Sequence, residues 1–366
     1  MHAEEKGAKT VGREPAPLRR DTALDALRFL AVLLMMASHT TRLIAWDERR
    51  AWSRFSLLIE PLTASLFLIL VGASLAHSWR VARGRGMRRM AWYRSQAIRA
   101  AALWAVSCAF YCAEEGFHLP DALTMSGILA TIAYTILMGM LLVSAPRPGW
   151  WLAATAAVLM GLHYALDLRG AKIFILNGGN SPLLPLFPFA CLGALGALAS
   201  QSRSLSLRIC IVTVALLTIA CILHRHGFAE VFSKPIGRYE SARTIVSVSG
   251  SVRVERTIPY YNLRPILVPM IAAMIVLTYA ALALLRRGLD KGSRYLLPMG
   301  RHSLDVYILH LALLAILVVR GGKRPLTTAW QGDAAILALY AACYAWTVFR
   351  EGAGKRAWRR IRPARL

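Results

Sequence analysis

The chain has 366 residues, of which 57% are hydrophobic and 17% are charged, and its formal net charge is +25. A soluble globular domain usually has about 25% charged residues, and apolar runs of roughly 17–25 residues, the length that crosses a bilayer, recur along this chain. We therefore predict an all-α, polytopic integral membrane protein whose positive charge, spread over the segments that flank the runs, meets anionic lipid headgroups rather than nucleic acid.

Ten membrane spans are predicted along the chain. They fall near residues 24–44, 56–78, 95–113, 124–144, 150–166, 182–199, 208–223, 265–285, 297–319 and 333–349. Lys and Arg are more frequent in the inner segments when the N-terminus is cytoplasmic, so both termini are predicted to face the cytoplasm. Residues 1–22 are expected to form a disordered tail, residues 23–349 a transmembrane domain and residues 350–366 a basic tail. No cleavable signal peptide is expected, because residues 1–20 are polar.

The first span places three ionisable side chains in an otherwise apolar helix: Asp25, Arg28 and His39. Asp25 lies one turn before Arg28, close enough to pair with it. Arg28 and His39 lie on nearly the same helix face, about 16 Å apart along the axis. Ionisable groups are costly inside a membrane, so each is a functional candidate. The alternative for the Asp25–Arg28 pair is that it anchors the helix at the headgroup level.

Seven arginines bracket the second and third spans at the inner face: Arg80, Arg83, Arg85, Arg88, Arg89, Arg94 and Arg99. Guanidinium groups bind phosphates bidentately, so this cluster is a candidate site for a phosphorylated donor such as coenzyme A. Arg94 and Arg99 are the first candidates because they lie closest to the membrane. The alternative is that these arginines set the topology and contact lipid headgroups.

Two outer segments have distinct patterns. Asn177 and Asn180 belong to a turn-rich stretch of amides at a span entrance. The longest loop, residues 224–264, contains a stretch from 244 to 256 in which apolar and polar residues alternate on both sides of Ser249-Gly250. This alternation predicts a small hairpin outside the membrane, which serves either as a flap over a binding site or as a structural cap.

The ninth span contains a second polar set: Arg301, His302, Ser303, Asp305, Tyr307 and His310. His310 lies about 20 Å along this span and His39 about 22 Å along the first, so the two imidazoles are predicted to share a level in the outer half of the bilayer. An imidazole can act as base or nucleophile at neutral pH. Arg301 and His302 are expected at the cytoplasmic boundary.

No metal site is predicted, because the chain has no His-Glu-x-x-His and no Cys/His cluster at ligand spacing. The cysteines all fall within predicted spans, where we interpret them as packing residues: Cys108, Cys112, Cys191, Cys210, Cys221 and Cys343.

The sequence resembles the heparan-α-glucosaminide N-acetyltransferase-like proteins, a family of multi-span membrane acyltransferases. The residues that carry the likeness in the first span are Leu24-Asp25-Ala26-Leu27-Arg28 and the apolar run that ends in Met35-Met36-Ala37-Ser38-His39. Residues 299–310 are similar to the family's Gly-(Arg/Lys)-x-Ser-Leu-x-x-Tyr pattern, followed by two apolar residues and His. Residues 66–75, 125–133 and 188–194 also fit. The family's glycine after the arginine is replaced here by Phe29, which is expected to fill space that a close helix contact needs.

The resemblance implies transfer of an acetyl or other acyl group from cytoplasmic acyl-CoA to a sugar hydroxyl or amine, free or on a glycolipid, at the outer side. By residue, the implied catalytic groups are His39, His310, Asp25 and Arg28, the donor-binding groups are Arg94 and Arg99, and the acceptor-binding groups are Asn177 and Asn180. Acyl-CoA is a co-substrate, so no cofactor is implied. The implied location is the inner membrane of a bacterial cell, and a homodimer stays open.

Two other functions remain open from the sequence. A proton-coupled transporter or flippase for a saccharide or glycolipid would use the buried ionisable groups as proton relays. The other alternative is a membrane module with a degenerate site and no activity. Two features support it: Phe29, and the absence of histidine from residues 40–55. Animal members of the family have their catalytic histidine in the corresponding loop.

Overall fold

The computed structural model describes residues 22–41, 50–115, 121–124, 127–169, 182–199, 241–246, 252–257, 267–284, 298–321 and 326–361, and five single residues, Leu43, Phe117, Leu119, Leu176 and Gly288. These ranges contain the helices α1 (Thr22–Thr41), α2 (Arg50–Gly84), α3 (Arg89–Glu115), α4 (Asp121–Thr124), α5 (Ile128–Ser144), α6 (Pro148–Leu168), α7 (Leu183–Ala199), α8 (Leu267–Leu284), α9 (Pro298–Arg301), α10 (Ser303–Gly321) and α11 (Ala329–Ile361). A hairpin of β1 (Ser241–Val246) and β2 (Val252–Thr257) lies between α7 and α8 in the sequence.

Several helices are suited to a bilayer by length and composition. Within the described residues, five are long and apolar enough to cross one: Thr22–Thr41, Leu62–Gly84, Arg89–Ala113, Pro148–Leu166 and Trp330–Gly352. Four shorter apolar helices are Ile128–Ser144, Leu183–Leu198, Ile271–Leu282 and Ser303–Val318. Large apolar side chains on α5, α6, α8, α10 and α11 are exposed, among them Leu141, Val158, Leu277, Ile316 and Leu337. Such surfaces fit lipid better than water, as expected for an integral membrane protein.

The described helices match nine of the ten predicted spans, and the predicted seventh span, 208–223, lies outside the described residues. The predicted fourth span corresponds to α5, and α4 ends at the span's first residue, Thr124. Gly127, which precedes α5, has a φ of 89° that glycine adopts without steric cost. α11 continues past residue 349 to Ile361. The predicted hairpin is confirmed, since β1 and β2 pair antiparallel from Ser241↔Thr257 to Val246↔Val252.

The contact between α2 and α7 depends on two glycines. A Cβ atom on Gly72 would overlap the carbonyl oxygen of Ala190, and a Cβ atom on Gly193 would overlap that of Ile69. The two backbones therefore meet without intervening side chains, the packing that small residues permit between membrane helices.

The position of α1 relative to α9 and α10 is fixed at both ends. Near the start of α1, Gly300 of α9 packs against the backbone of Asp25 and Phe29. Near its end, His39 meets His310 of α10. Residue numbers increase together along the two segments, so α1 and the α9–α10 segment run in the same direction, as the span count predicts.

α2 runs antiparallel to α1 beside this pair of segments. Arg28 bonds Ser74 of α2, and Phe67, seven residues earlier on α2, packs edge-on against Tyr307 of α10, with ring centroids 6.1 Å apart. α1, α2 and α10 therefore pack together close to the level of the histidines.

Candidate active site

The two histidines that the sequence singled out are in direct contact. His39 Nδ1 lies 3.0 Å from His310 Nε2, and the two ring planes are inclined by 15° with their centroids 5.2 Å apart. The His310 side chain is fully buried, whereas His39 is half-buried. The prediction that the imidazoles share a level is confirmed, and they also face each other, which helical spacing alone could not establish.

A backbone hydrogen bond fixes the tautomers of both rings. His310 Nδ1 lies 3.1 Å from the Val306 carbonyl oxygen. A carbonyl only accepts, so Nδ1 of His310 carries the proton and donates it, and Nε2 of the neutral ring holds a lone pair. His39 must then donate Nδ1–H to that lone pair. Consequently, the basic nitrogen of a neutral His39 is Nε2, the atom directed away from His310.

Apolar and aromatic side chains lie close to His310. Tyr307 packs edge-on against His310 with a centroid distance of 5.4 Å, and Val306 and Met36 are fully buried nearby in the chain. In such a medium a hydrogen bond between two polar groups is stronger than in water. Among the residues that the structure describes, no group of three or more His, Cys, Asp or Glu side chains is arranged to hold a metal ion.

The predicted Asp25–Arg28 pair near the start of α1 is formed, and it has a third member. Arg28 Nη1 donates to Asp25 Oδ1 at 2.7 Å, and Arg28 Nη2 donates to Ser74 Oγ of α2 at 2.9 Å. Asp25 is 1% exposed. Eleven residues separate Arg28 from His39, about 16 Å along the helix, so this cluster does not touch the histidines. The contact with Ser74 was not predictable from the sequence, because Ser74 is 46 positions from Arg28.

Phe29 was expected to fill space needed for a close helix contact on α1, but it does not obstruct that contact. Its ring points to α11 and packs edge-on against Tyr340 with a centroid distance of 6.2 Å. The close approach at this level comes instead from Gly300, which lies against the α1 backbone. Thus the glycine that permits close packing is on α9.

The candidate donor-binding residues lie on α3, away from the histidine pair. Arg94 and Arg99 are both exposed, and Arg99 Nη1 lies 3.5 Å from Gln96 Oε1. The buried positions of α3 are Trp92, Gln96, Ala100, Leu103 and Ser107. At 100° per residue Arg94 projects from the opposite face and Arg99 from the margin. The candidate acceptor-binding residues, Asn177 and Asn180, lie outside the described residues.

Ion pairs connect the polar set at the start of α10 to α11. Arg301 Nη1 donates to Glu351 Oε1 at 3.1 Å, and Arg350 pairs with Asp305. His302 Nδ1 lies 3.4 Å from Asp305 Oδ2. Sequence reasoning missed Glu351, because the apolar pattern predicted that the tenth span ends before it.

Comparison with known protein families extends this description. Residues 20–228 match the family described as heparan-alpha-glucosaminide N-acetyltransferase, catalytic. The matched segment is more than half of the chain, and it contains Asp25, Arg28 and His39 but ends before His310. No curated protein matches the chain. The chain therefore belongs to the heparan-α-glucosaminide N-acetyltransferase-like family of membrane acyltransferases.

Proposed function

We propose that the protein transfers an acyl group, with acetyl as the first candidate, from acyl-CoA at the cytoplasmic face to a sugar hydroxyl or amine at the outer face. The observation that carries the proposal is the hydrogen-bonded His39–His310 pair within a chain of this family. It provides a half-buried imidazole with a fixed tautomer, the arrangement that a general base requires.

In the proposed reaction His39 Nε2 removes the proton from the acceptor as its oxygen or nitrogen attacks the thioester carbonyl. The new bond joins the acceptor to the acyl carbon, and the carbon–sulfur bond of the donor breaks. The coenzyme A sulfur then takes the proton from His39. His310 Nε2 accepts the Nδ1–H bond of His39 throughout and stabilises the imidazolium, so we assign it an orienting role.

The inner cluster has a separate role in this proposal. Asp25, Arg28 and Ser74 join α1 to α2 about 16 Å from His39, along the route that the arm of a cytoplasmic donor must follow. We assign them to the inner wall of that route. Arg94 and Arg99 remain candidates for the donor phosphates, and Asn177 and Asn180 for the acceptor. The proposed location is a bacterial inner membrane with cytoplasmic termini.

The proposal is tested with protein reconstituted in liposomes. Acetyl-CoA is supplied on one side with amino sugars or neutral sugars on the other, and released coenzyme A thiol and acylated sugar are both measured. We expect sugar-dependent release of thiol in the wild type and a loss of 100-fold or more in His39→Ala, because general-base catalysis contributes about 10²–10⁴.

His302→Ala is the matched control. It removes a histidine from the same helical segment as His310, at a boundary where its nearest charged neighbours are Asp305 and Glu351. Full activity in His302→Ala and loss in His39→Ala support the proposal. An unchanged rate in folded His39→Ala, or sugar movement that needs a proton gradient and no acyl-CoA, contradicts it.

A further inference from the structure

Arg89, the first residue of α3, is held in place by a directed chain of hydrogen bonds. Its Nε–H donates to Tyr93 Oη at 2.7 Å and its Nη2 to Ser144 Oγ at 3.1 Å. Tyr93 Oη lies 2.5 Å from Ser144 Oγ, which in turn donates to the Met140 carbonyl at 2.7 Å. Since the serine proton goes to that carbonyl, Tyr93 donates to Ser144. The guanidinium is thus fixed along its Nε edge.

The opposite edge of this guanidinium faces outward. The Arg89 side chain is exposed, and within the described ranges its Nη1 hydrogens have no hydrogen-bond acceptor. A guanidinium whose orientation is set by protein groups loses less side-chain entropy when it binds a planar or tetrahedral oxyanion. Arg89 therefore presents an oriented pair of donors at the inner end of the bundle.

Two further exposed arginines are close in sequence to Arg89 and to its partner Ser144. Exposed Arg88 precedes Arg89, and exposed Arg147 lies three residues after Ser144. Residues 61–113 and 122–166 contain no Asp or Glu, so the chain supplies no nearby carboxylate from these helices. By contrast, Arg301 and Arg350 at the α9–α11 end are paired with Glu351 and Asp305. Among the described residues, Arg301 and Arg350 are thus neutralised by carboxylates, whereas Arg88, Arg89 and Arg147 have no carboxylate partner.

Large apolar side chains flank these three arginines in the sequence. Met90 is 74% exposed, and Trp150 and Trp151 in the first turn of α6 are 71% and 50% exposed. The backbone N–H of Trp150 donates to the Arg147 carbonyl at 3.0 Å, so the first turn of α6 begins directly after this arginine. Tryptophan next to arginine is typical of the level at which acyl chains meet headgroups. An oxyanion bound here would be attached to an apolar chain.

We propose that Arg88, Arg89 and Arg147, with Arg89 oriented by Tyr93 and Ser144, form a binding site for the phosphate of an anionic phospholipid of the inner leaflet. The headgroup phosphate accepts from the outward edge of Arg89, and the acyl chains lie along Met90 and the α6 tryptophans. The site is separate from the histidine pair and does not depend on the acyl transfer proposed above.

The test measures lipid binding to the full chain in nanodiscs of phosphatidylcholine with a small fraction of phosphatidylglycerol, using native mass spectrometry. We expect wild-type protein to retain phosphatidylglycerol selectively and Arg89→Ala to bind it about tenfold more weakly, as expected for loss of a charge-assisted hydrogen bond. Arg88→Ala, which removes an exposed side chain without disturbing the Tyr93–Ser144 contact, is expected to weaken binding in the same direction and keeps the test valid if Arg89→Ala folds poorly.

Arg350→Ala is the matched control, because it removes the same charge at the same face from an arginine paired with Asp305. Wild-type affinity in Arg350→Ala supports a built site. Equal weakening in Arg350→Ala would overturn it in favour of general attraction to the inner leaflet. Displacement of phosphatidylglycerol by stoichiometric coenzyme A would also overturn the lipid assignment, since the phosphate would then come from a soluble nucleotide.

Discussion

At the residue scale, the histidine pair differs from a histidine paired with a carboxylate. In the proposed reaction a neutral His310, in the tautomer that its bond to Val306 selects, would orient His39 and stabilise the imidazolium through a dipole rather than a full charge. What His310 must supply is an acceptor atom at the position of its Nε2. This requirement separates an orienting role from a proton-transferring one.

Two substitutions of His310 distinguish these roles. We expect His310→Leu to lower kcat for acyl transfer about 100-fold, because His39 loses the acceptor for Nδ1–H. A glutamine carbonyl oxygen can occupy the Nε2 position, so we expect His310→Gln to lose less than about tenfold. Rates at saturating acyl-CoA, with His302→Ala as control, provide the comparison. If His310→Gln is as inactive as His310→Leu, His310 exchanges a proton itself.

Part of this site was predictable from the sequence. Counting residues along two spans put His39 and His310 at one level, and the spacing of Asp25 and Arg28 predicted their pairing; both are local properties of a helix. That the imidazoles face each other, and that Ser74 joins Arg28, depends on the rotation of packed helices about their axes. A single sequence of apolar helices does not encode that rotation in any local pattern.

At the element scale, Gly300 sets the distance between α9 and α1. Its missing side chain lets the α9 backbone rest on Asp25 and Phe29, and α10 continues from there to His310. A larger side chain at position 300 should therefore shift α10 and change the position of His310, 10 residues later, relative to His39.

We expect Gly300→Ala to displace α9 from α1, lower stability by about 1–3 kcal/mol, as overpacking usually does, and reduce acyl transfer. Thermal unfolding and turnover are measured on the same sample. Gly352→Ala is the control, since a Cβ atom there meets no other atom within 4 Å. Full activity in Gly300→Ala would show that this contact does not position His310.

Two glycines of α7, Gly193 and Gly196, provide a matched test of the contact between α7 and α2. Gly193 lies against the Ile69 carbonyl, whereas a Cβ atom on Gly196, one turn later, meets no atom within 4 Å. We expect Gly193→Ala to lower the melting temperature and Gly196→Ala to leave it unchanged or raise it, because alanine favours a helix by about 1 kcal/mol over glycine. Equal shifts in the two variants would mean that the α2–α7 crossing is looser than the structure indicates.

Helix positions were predictable from the sequence and some helix ends were not. Long apolar runs define the spans by length, and the alternation around residues 249–250 predicted the hairpin correctly. The continuation of α11 to Ile361 was missed because its last turns carry several basic residues, which interrupt the apolar signal. Lys, Arg and Ala are nevertheless strong helix formers, so the helix extends beyond the apolar segment.

At the scale of the whole molecule, the bundle has two chemically different ends. The α2–α3 turn, the Arg28 cluster and the α9–α11 ion pairs share one end, and the histidine pair lies toward the other. Leu326 N–H donates to the Leu43 carbonyl at 3.2 Å, which joins the segments that follow α10 and α1 near that second end. In the proposed reaction a donor from the basic end and an acceptor from the opposite end would approach His39 from different sides.

Cysteine labelling tests this orientation. In a variant whose native cysteines are replaced, Arg85→Cys lies in the α2–α3 turn and Phe117→Cys beyond the end of α3, and both parent side chains are exposed. We expect a membrane-impermeant maleimide added to intact cells to label Phe117→Cys at once and Arg85→Cys only after permeabilisation, as the distribution of Lys and Arg predicts. The reverse pattern would place the basic end outside.

The central claim is that His39 and His310 work as one unit in acyl transfer, and the most direct test is a double-mutant cycle. Sugar-dependent release of coenzyme A is measured in liposomes for the wild type, His39→Ala, His310→Leu and the double variant. Residues that act together are strongly non-additive, so we predict that the double variant is no slower than His39→Ala within about threefold. The claim would be contradicted if the rate loss in the double variant equalled the product of the two single losses, or if His39→Ala had the wild-type rate.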